Sequence, residues 1–343
     1  TEDARLCSDV LLESDRRGIE SHGCNRFKPI YIDRIKSGIL NPVTKIDILK
    51  ETPTTAVLDA NDGMGMVASK KAMDMCIEKA HKYGMGMVAV RNSSHYGIAG
   101  YWTGLAAKEN MIGISGTNAR PSVAPTFGVE NMLGTNPLTF SMPTDEPFPF
   151  TLDCATSVIQ NGKIEYYARI NHDTPKGLVI SREGEELTDS AEILKKIRSQ
   201  QAALAPLGGF GETTGGYKGY GYSTVVEILS AALQSGLFLK ALDGKDEEGK
   251  IPYHLGHFFI AIDTEAFMGA EAFKKTCGDI LRDLRGSEKA PGQERIYTAG
   301  EKEYDVWMYR KDKGVPVTEA VQKEFIGLRD EFGLTQFKFP FEK

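Results

Sequence analysis

The chain has 343 residues, 41% hydrophobic and 26% charged, with a formal net charge of −6. That length supports a large core in two or three lobes, and the acidic balance counts against a duplex-binding surface, which needs excess Lys and Arg to neutralise phosphates. No apolar run is long enough for a membrane span, and five cysteines without a C-x-x-C pair read as reduced thiols in a cytoplasmic setting, with no disulfide framework or zinc site.

Leu6, Val10, Leu11 and Leu12 fall on one side of a helix over about Glu2 to Gly18. A break at Ser21-His22-Gly23 follows, then a short helical stretch carrying Arg26, Ile30, Tyr31 and Ile35, stopped near Gly38. Ala56 to Ala60 predicts a strand, Val67 to Lys82 a helix and Gly86 to Arg91 a second strand, the order of a dinucleotide-binding unit. Met111 to Leu152 breaks into short apolar runs between Pro and Gly, as strands do. Helices are expected over Ile159 to Ile170, Ala191 to Gln201, Ser223 to Leu237 and Ala270 to Leu284. Arg182 to Asp189 suggests a polar hairpin and Phe258 to Ile262 a strand.

Gly63-Met64-Gly65-Met66-Val67-Ala68 matches G-x-G-x-x-A between a strand and a helix. Two details count against a Rossmann site. The glycines lie three residues beyond the strand, and the next strand ends in Arg91-Asn92-Ser93 with no acid for a ribose. The favoured alternative is a glycine loop that lets the helix pack closely on the sheet.

Among six histidines, His81 and His172 read as bland, and His257 could cap a strand or line a cleft. His22 and His95 differ: each sits in a serine-glycine break, Ser21-His22-Gly23 and Ser93-Ser94-His95-Tyr96-Gly97. Glycine admits close approach of a ligand, serine can fix a tautomer, and imidazole titrates near neutrality. Arg26, about one helical turn past His22, could hold a carboxylate through a bidentate pair, and Tyr31 could add a hydroxyl. His22 is the slightly preferred proton carrier for its nearness to Arg26, with His95 positioning substrate or cofactor.

Gly116-Thr117-Asn118-Ala119 and Gly134-Thr135-Asn136-Pro137 are near-duplicates, each placing a hydroxyl and an amide at a strand end. Asp153-Cys154-Ala155-Thr156-Ser157 is expected to open a helix and present N-cap groups and free N–H donors to an anion. Gly215-Gly216-Tyr217-Lys218-Gly219-Tyr220-Gly221 opens another, with one lysine suited to a pyrophosphate but no Walker motif.

Taken in order, these segments resemble the malate/L-lactate dehydrogenase family that is unrelated to the Rossmann-fold lactate and malate dehydrogenases. The matching stretches are Ser21 to Tyr31, Asn92 to Gly97, Thr117 to Pro121, Leu133 to Leu138, Asp153 to Ser157, Tyr217 to Gly221, Gly256 to Asp263 and Pro291 to Glu294.

The resemblance implies an α/β fold: a non-Rossmann cofactor domain with a mostly antiparallel sheet flanked by helices, plus a helical lobe formed by both termini. The corresponding stretches are 1–55, 56–265 and 266–343. It implies an NAD- or NADP-dependent oxidoreductase, without metal, that interconverts a small 2-hydroxy acid and its 2-keto acid. Malate/oxaloacetate is the first expectation; lactate, sulfolactate, ureidoglycolate, a cyclic imine or a non-catalytic nucleotide-binding protein are the alternatives. The partners implied are a small-molecule substrate and a second copy, as a homodimer with the active site at the interface.

Catalytic roles are implied for His22, His95, Arg26, Ser21 and Tyr31. Cofactor contacts are implied for Thr117, Asn118, Thr135, Asn136, Asp153, Ala155, Thr156, Ser157, Lys218, Gly219, Gly292 and Glu294. Two departures stand out: Ser181 replaces an acid that could partner a catalytic histidine, and Tyr217 stands where many members carry His.

Overall fold

The structure is a computed structural model that describes residues 1–342. Helix α1 (Glu2–Arg16) leads through two single 3-10 turns and a π-helical segment, Phe27–Ile32, into the short α2 (Asp33–Lys36). Then come β1 (Asp47–Glu51), β2 (Thr55–Asp59), α3 (Gly65–Tyr83), β3 (Met85–Ser93), α4 (Ala99–Lys108), β4 (Met111–Thr117), β5 (Leu138–Met142) and β6 (Phe150–Cys154). The second half holds α5 (Asn161–Arg169), β7 (Val179–Ser181), α6 (Ser190–Arg198), β8 (Ala202–Leu204), α7 (Gly216–Ala231), β9 (Leu255–Asp263), α8 (Ala270–Gly286), α9 (Glu301–Arg310) and α10 (Glu319–Glu331).

Seven strands form one sheet in the order β1-β2-β3-β9-β4-β5-β6, while β7 and β8 pair separately. Only β2 and β3 run parallel, joined by α3 as a βαβ crossover; the other neighbours in the large sheet are antiparallel. The mostly antiparallel α/β architecture is therefore as expected. The last sheet strand in the sequence, β9, lies at its centre between β3 and β4, and its Leu255, His257, Phe258, Phe259 and Ala261 are buried. A strand covered on both faces reads as a near-continuous apolar run, which is why Phe258 to Ile262 was legible.

The main core joins α3 (Met66, Ala72, Met73, Cys76) to β2 and β3 (Leu58, Val88, Val90), to Trp102 of α4 and to Val10 and Leu11 of α1. A smaller core under α5 and α6 gathers Val123, Leu133, Ile164, Val179, Ile193 and Leu204. The termini meet in space. The Trp307 indole N–H donates to Glu13 at 3.2 Å, Arg310 pairs with Glu20 at 2.6 Å, and Phe27 and Phe325 stack edge-on with centroids 6.0 Å apart.

Three expectations change. Asp153 to Ser157 does not open a helix: Asp153 and Cys154 end β6, and α5 begins only at Asn161, after Gln160. The buried Asp153 carboxylate accepts from Gly100 N–H (2.7 Å) and Thr139 hydroxyl (2.9 Å), so it caps α4 from across the sheet. The hairpin expected over Arg182 to Asp189 is a tight turn after β7 with one bridge, Ile180 to Glu186, while β7 pairs with β8. Helix α7 starts at Gly216, inside the glycine run as expected, but ends at Ala231 and not at Leu237, and β1 is an additional strand.

Candidate active site

The His22 loop is built by a buried carboxylate. Asp15, in the last turn of α1, accepts from the Cys24 N–H at 2.8 Å. A Cβ on Gly23 would sit 1.8 Å from Asp15 Oδ1, so only glycine lets the chain pass this close. The loop then presents His22 with Nδ1 2.9 Å from the Ser21 hydroxyl, while Arg26 Nε donates to the Ser21 carbonyl at 2.5 Å. The π-helical segment follows at once. Its i→i+5 repeat places Tyr31, five residues after Arg26, back on the same side. The buried Tyr31 hydroxyl lies 2.7 Å from His95 Nδ1.

His95 arrives from the other direction, on the loop after β3. The Ser94 hydroxyl accepts from Gly65 N–H and donates to the Gly63 carbonyl, both at 2.9 Å. A Cβ on Gly65 would lie 2.1 Å from the Ser94 carbonyl oxygen. The G-x-G-x-x-A glycines thus serve close packing of α3 against the histidine loop. Arg91 is paired with Asp59 at 2.8 Å. The two histidine rings stack, centroids 5.8 Å apart and 18° from parallel.

Burial dominates their titration. Desolvation, then the Arg26 charge, pulls His22 down to about 4. His95 is held well below its ordinary value by burial and then by His22, Arg34 and Arg26. Both rings are neutral at pH 7. The Gly97 N–H also approaches His95 Nδ1, at 3.3 Å.

A cleft of about 230 Å³ is lined by Ser21, His22 and Arg26 on one side and by Thr135, Asp153, Cys154, Ala155, Asn161 and Gly162 on the other. Arg26 has no acidic partner among the described residues, so the surface ion pair that could have explained it is absent. Its guanidinium is free to hold an anion.

The remaining expected cofactor contacts separate into groups. Asn118 and Asn136 are fully buried. The Asn118 amide bonds Gly256 N–H (2.8 Å) and the Leu237 carbonyl (3.3 Å), and Asn136 Nδ2 donates to Glu227 on α7 (2.8 Å). These amides tie α7 and the segment after it to the sheet. Thr156 and Ser157 are buried behind the cleft wall. The Thr156 N–H donates to the Thr135 carbonyl, and the Ser157 hydroxyl to the Ile159 carbonyl, both at 2.9 Å. Lys218 is exposed in the first turn of α7, Gly219 is buried beside it, and Gly292 and Glu294 lie on an exposed turn before α9. None of these four lines the His22 cleft.

Thr117 is committed to a residue that was left undecided. His257 is fully buried, with Nδ1 2.7 Å from the Thr117 hydroxyl and Nε2 2.8 Å from that of Ser93. Stacked on Tyr96 at 4.6 Å, it ties β4 to the strand end that carries His95. A histidine inside the apolar β9 run was the available signal, since a buried imidazole needs partners. Asp15 left no such trace, because its role depends on a loop that returns to it. Ser181 caps its own turn, accepting from Glu183 N–H (3.2 Å) and Glu185 N–H (3.3 Å). The histidines are instead partnered by Ser21 and Tyr31. Tyr217 is exposed, its ring 5.8 Å from Lys218 Nζ.

Comparison with known proteins places this geometry. The sequence profile described as malate/L-lactate dehydrogenase matches residues 1–325. Malate dehydrogenase of Pyrococcus horikoshii is 43% identical over 333 residues, 97% of this chain and 90% of the relative. L-sulfolactate dehydrogenase of Methanocaldococcus jannaschii is 38% identical over 333 residues, covering 97% and 91%. The crystal structure of malate dehydrogenase from Entamoeba histolytica superposes with a TM-score of 0.95 at 47% identity, over 99% of this chain and 93% of that one. The chain belongs to the malate/L-lactate dehydrogenase family.

Proposed function

We propose that this chain is a nicotinamide-dependent dehydrogenase that interconverts a small 2-hydroxy acid and its 2-keto acid, with malate and oxaloacetate as the pair. The observation that carries the reading is Arg26, a guanidinium without an acidic partner among the described residues, lining one cleft with His22. Relatives named malate dehydrogenase support the choice of substrate.

Arg26 holds the carboxylate beside the reacting carbon in a bidentate pair and so fixes the carbonyl or hydroxyl oxygen against an imidazole. We place proton transfer at His95, reversing the preference drawn from spacing alone. His22 is the ring nearer the Arg26 charge, which opposes its protonation, and His95 is backed by a phenol. The Tyr31 hydroxyl can donate to Nδ1 or accept from it, so it follows His95 through both protonation states. In oxidation the neutral ring, its Nδ1 proton donated to the Tyr31 oxygen, takes the hydroxyl proton at Nε2; in reduction the imidazolium returns it. A carboxylate entering the cleft offsets the Arg26 charge and raises both histidines toward neutrality. Tyr31 itself remains a phenol, since burial holds it well above its usual range. His22, braced by Ser21, positions the substrate.

A bound nicotinamide supplies the hydride acceptor or donor at its C4. The donor set suits its pyrophosphate. Gly215 begins α7 without a side-chain cap, and Lys218 in the first turn has no acidic partner among the described residues. The Leu207 N–H donates to the Thr156 carbonyl at 2.8 Å, and Gly219 packs on the Leu207 carbonyl, which ties this helix start to the cleft wall. We assign Lys218 and Gly219, the Thr135 and Asp153–Ser157 wall, and the Gly292–Glu294 turn to cofactor binding, with either NAD or NADP.

Our reading includes a homodimer. The outer face of α7 and the segment after it carry Tyr222, Val225, Ile228, Leu233 and Phe238, each about half exposed. We keep the division into 1–55, 56–265 and 266–343, with β1 carried into the sheet from the first stretch. The cytoplasm follows from the free thiols; no described helix is long and apolar enough to cross a membrane.

The test is turnover of malate and oxaloacetate with both cofactors by the wild type and Arg26→Ala. The variant should lose roughly 100-fold or more in kcat/KM, and an unchanged value refutes the role of Arg26.

A further inference from the structure

A second guanidinium follows Tyr31 on the same helical run. Arg34, in α2, follows Tyr31 by one helical turn, and its guanidinium carbon lies 4.3 Å from the centre of the Tyr253 ring. It is half-buried, and it makes no side-chain hydrogen bond and no ion pair among the described residues. Its other charged neighbour, Arg120, is already paired with Asp243 at 2.9 Å. Burial pulls the Arg34 guanidinium below its ordinary value, and its charge is felt at both Tyr31 and His95. A desolvated cation with unused N–H donors is unfavourable unless an anion completes it. No acidic side chain among the described residues does so.

We propose that Arg34 binds the second, distal acidic group of the substrate, so that the enzyme selects 2-hydroxy acids with two acidic groups. Arg26 takes the carboxylate beside the reacting carbon and Arg34 the far one, with His95 and Tyr31 between them. This rests on the dehydrogenase reading above. The two arginines lie on a continuous helical run, Phe27–Ile32 into Asp33–Lys36, that separates them by at most about 12 Å along its axis at ~1.5 Å per residue. That is the scale of a four-carbon diacid with a guanidinium at each end. Arg34 sits on Tyr253 through a cation–π contact, which holds the side chain in place without neutralising it.

The experiment compares malate with lactate, which lacks the distal group, in the wild type, Arg34→Gln and Arg34→Lys. Arg34→Gln should lose roughly 10- to 100-fold in kcat/KM for malate, the worth of a hydrogen-bonded charge, while lactate changes less than about twofold; Arg34→Lys should recover part of the malate activity. An equal loss on both substrates, or unchanged malate turnover, overturns the assignment. A parallel measurement reads the rise in Tm caused by each acid without turnover. A malate-specific rise that disappears in Arg34→Gln supports the site, and equal shifts in the two proteins refute it. A wild type that turns over neither acid defeats the dehydrogenase reading alone, and the Tm arm still decides Arg34.

Discussion

Tyr31 and His95, separated by 64 positions in the chain, meet at 2.7 Å between the phenol oxygen and Nδ1. Neither residue is held there by its own segment alone. Tyr31 is brought round by a π-helical turn, and His95 is anchored through Ser94 to the start of α3. Removing the phenol oxygen leaves Nδ1 with only the long Gly97 contact. Tyr31→Phe should therefore fold normally, lose roughly 3- to 10-fold in kcat, and shift the pH profile of kcat. Steady-state rates across pH would check this; a variant with the wild-type profile shows that the phenol does not govern the ring.

The two stacked histidines are predicted to separate kinetically. His95→Asn should lower kcat by roughly 100- to 10,000-fold, the usual range for a general acid–base group, and abolish its pH dependence. His22→Asn should mainly raise KM. The reverse pattern would transfer the proton to His22.

Three histidines, His257 buried and His22 and His95 half-buried, have folded-state values below those of the unfolded chain: His22 at about 4, His257 at about 3, and His95 lower than usual. Such groups bind protons more readily when unfolded, so their contribution to stability is complete above about pH 6.5 and is lost as pH falls through the window below it. Asp15, Asp153 and Glu227, raised by burial, act in the opposite sense just above their ordinary values. Unfolding free energy should fall between pH 6.5 and 4, by up to ~3 kcal/mol from His22 alone at 1.36 kcal/mol per pKa unit. Urea titrations at several pH values, with His22→Gln as the comparison, would measure that slope; an equally steep slope in the variant would remove His22 from the account.

Gly23→Ala tests the loop that carries His22. Its methyl group must displace Asp15, which otherwise holds the Cys24 N–H. A cost of about 1–3 kcal/mol in stability is expected, on the scale of overpacking and a lost buried hydrogen bond, together with a reduced kcat/KM. Pairing it with Asp15→Ala should restore part of the stability but not the activity, because the loop would be free but no longer placed.

Ile228→Glu puts a charge in the middle of the outer apolar face of α7. Light scattering should report a dimer for the wild type and a monomer for the variant. A variant of unchanged mass would move the interface elsewhere.

Much of the architecture follows from local pattern. Apolar periodicity announces α3, α8 and the buried centre of β9, because a helix stripe and a doubly covered strand impose their repeat on the sequence. It could not announce β1, whose residues are largely exposed, nor the early end of α7 at Ala231. The two serine-glycine breaks marked His22 and His95, since such composition shows where the chain must bend around something. The near-duplicate Gly-Thr-Asn motifs place two buried amides, of which Asn136 bonds Glu227 on α7 and Asn118 bonds Gly256 at the start of β9.

The sequence by itself determined the residue chemistry: two imidazoles, an arginine one turn away, a lysine among glycines, and the family they spell. Tertiary structure decided which of these groups meet. Tyr31 on His95, Asp15 beneath Gly23, His257 between Thr117 and Ser93, and Arg34 without a counter-ion among the described residues are contacts or absences set by the fold. They depend on desolvation and distance, which no linear spacing encodes.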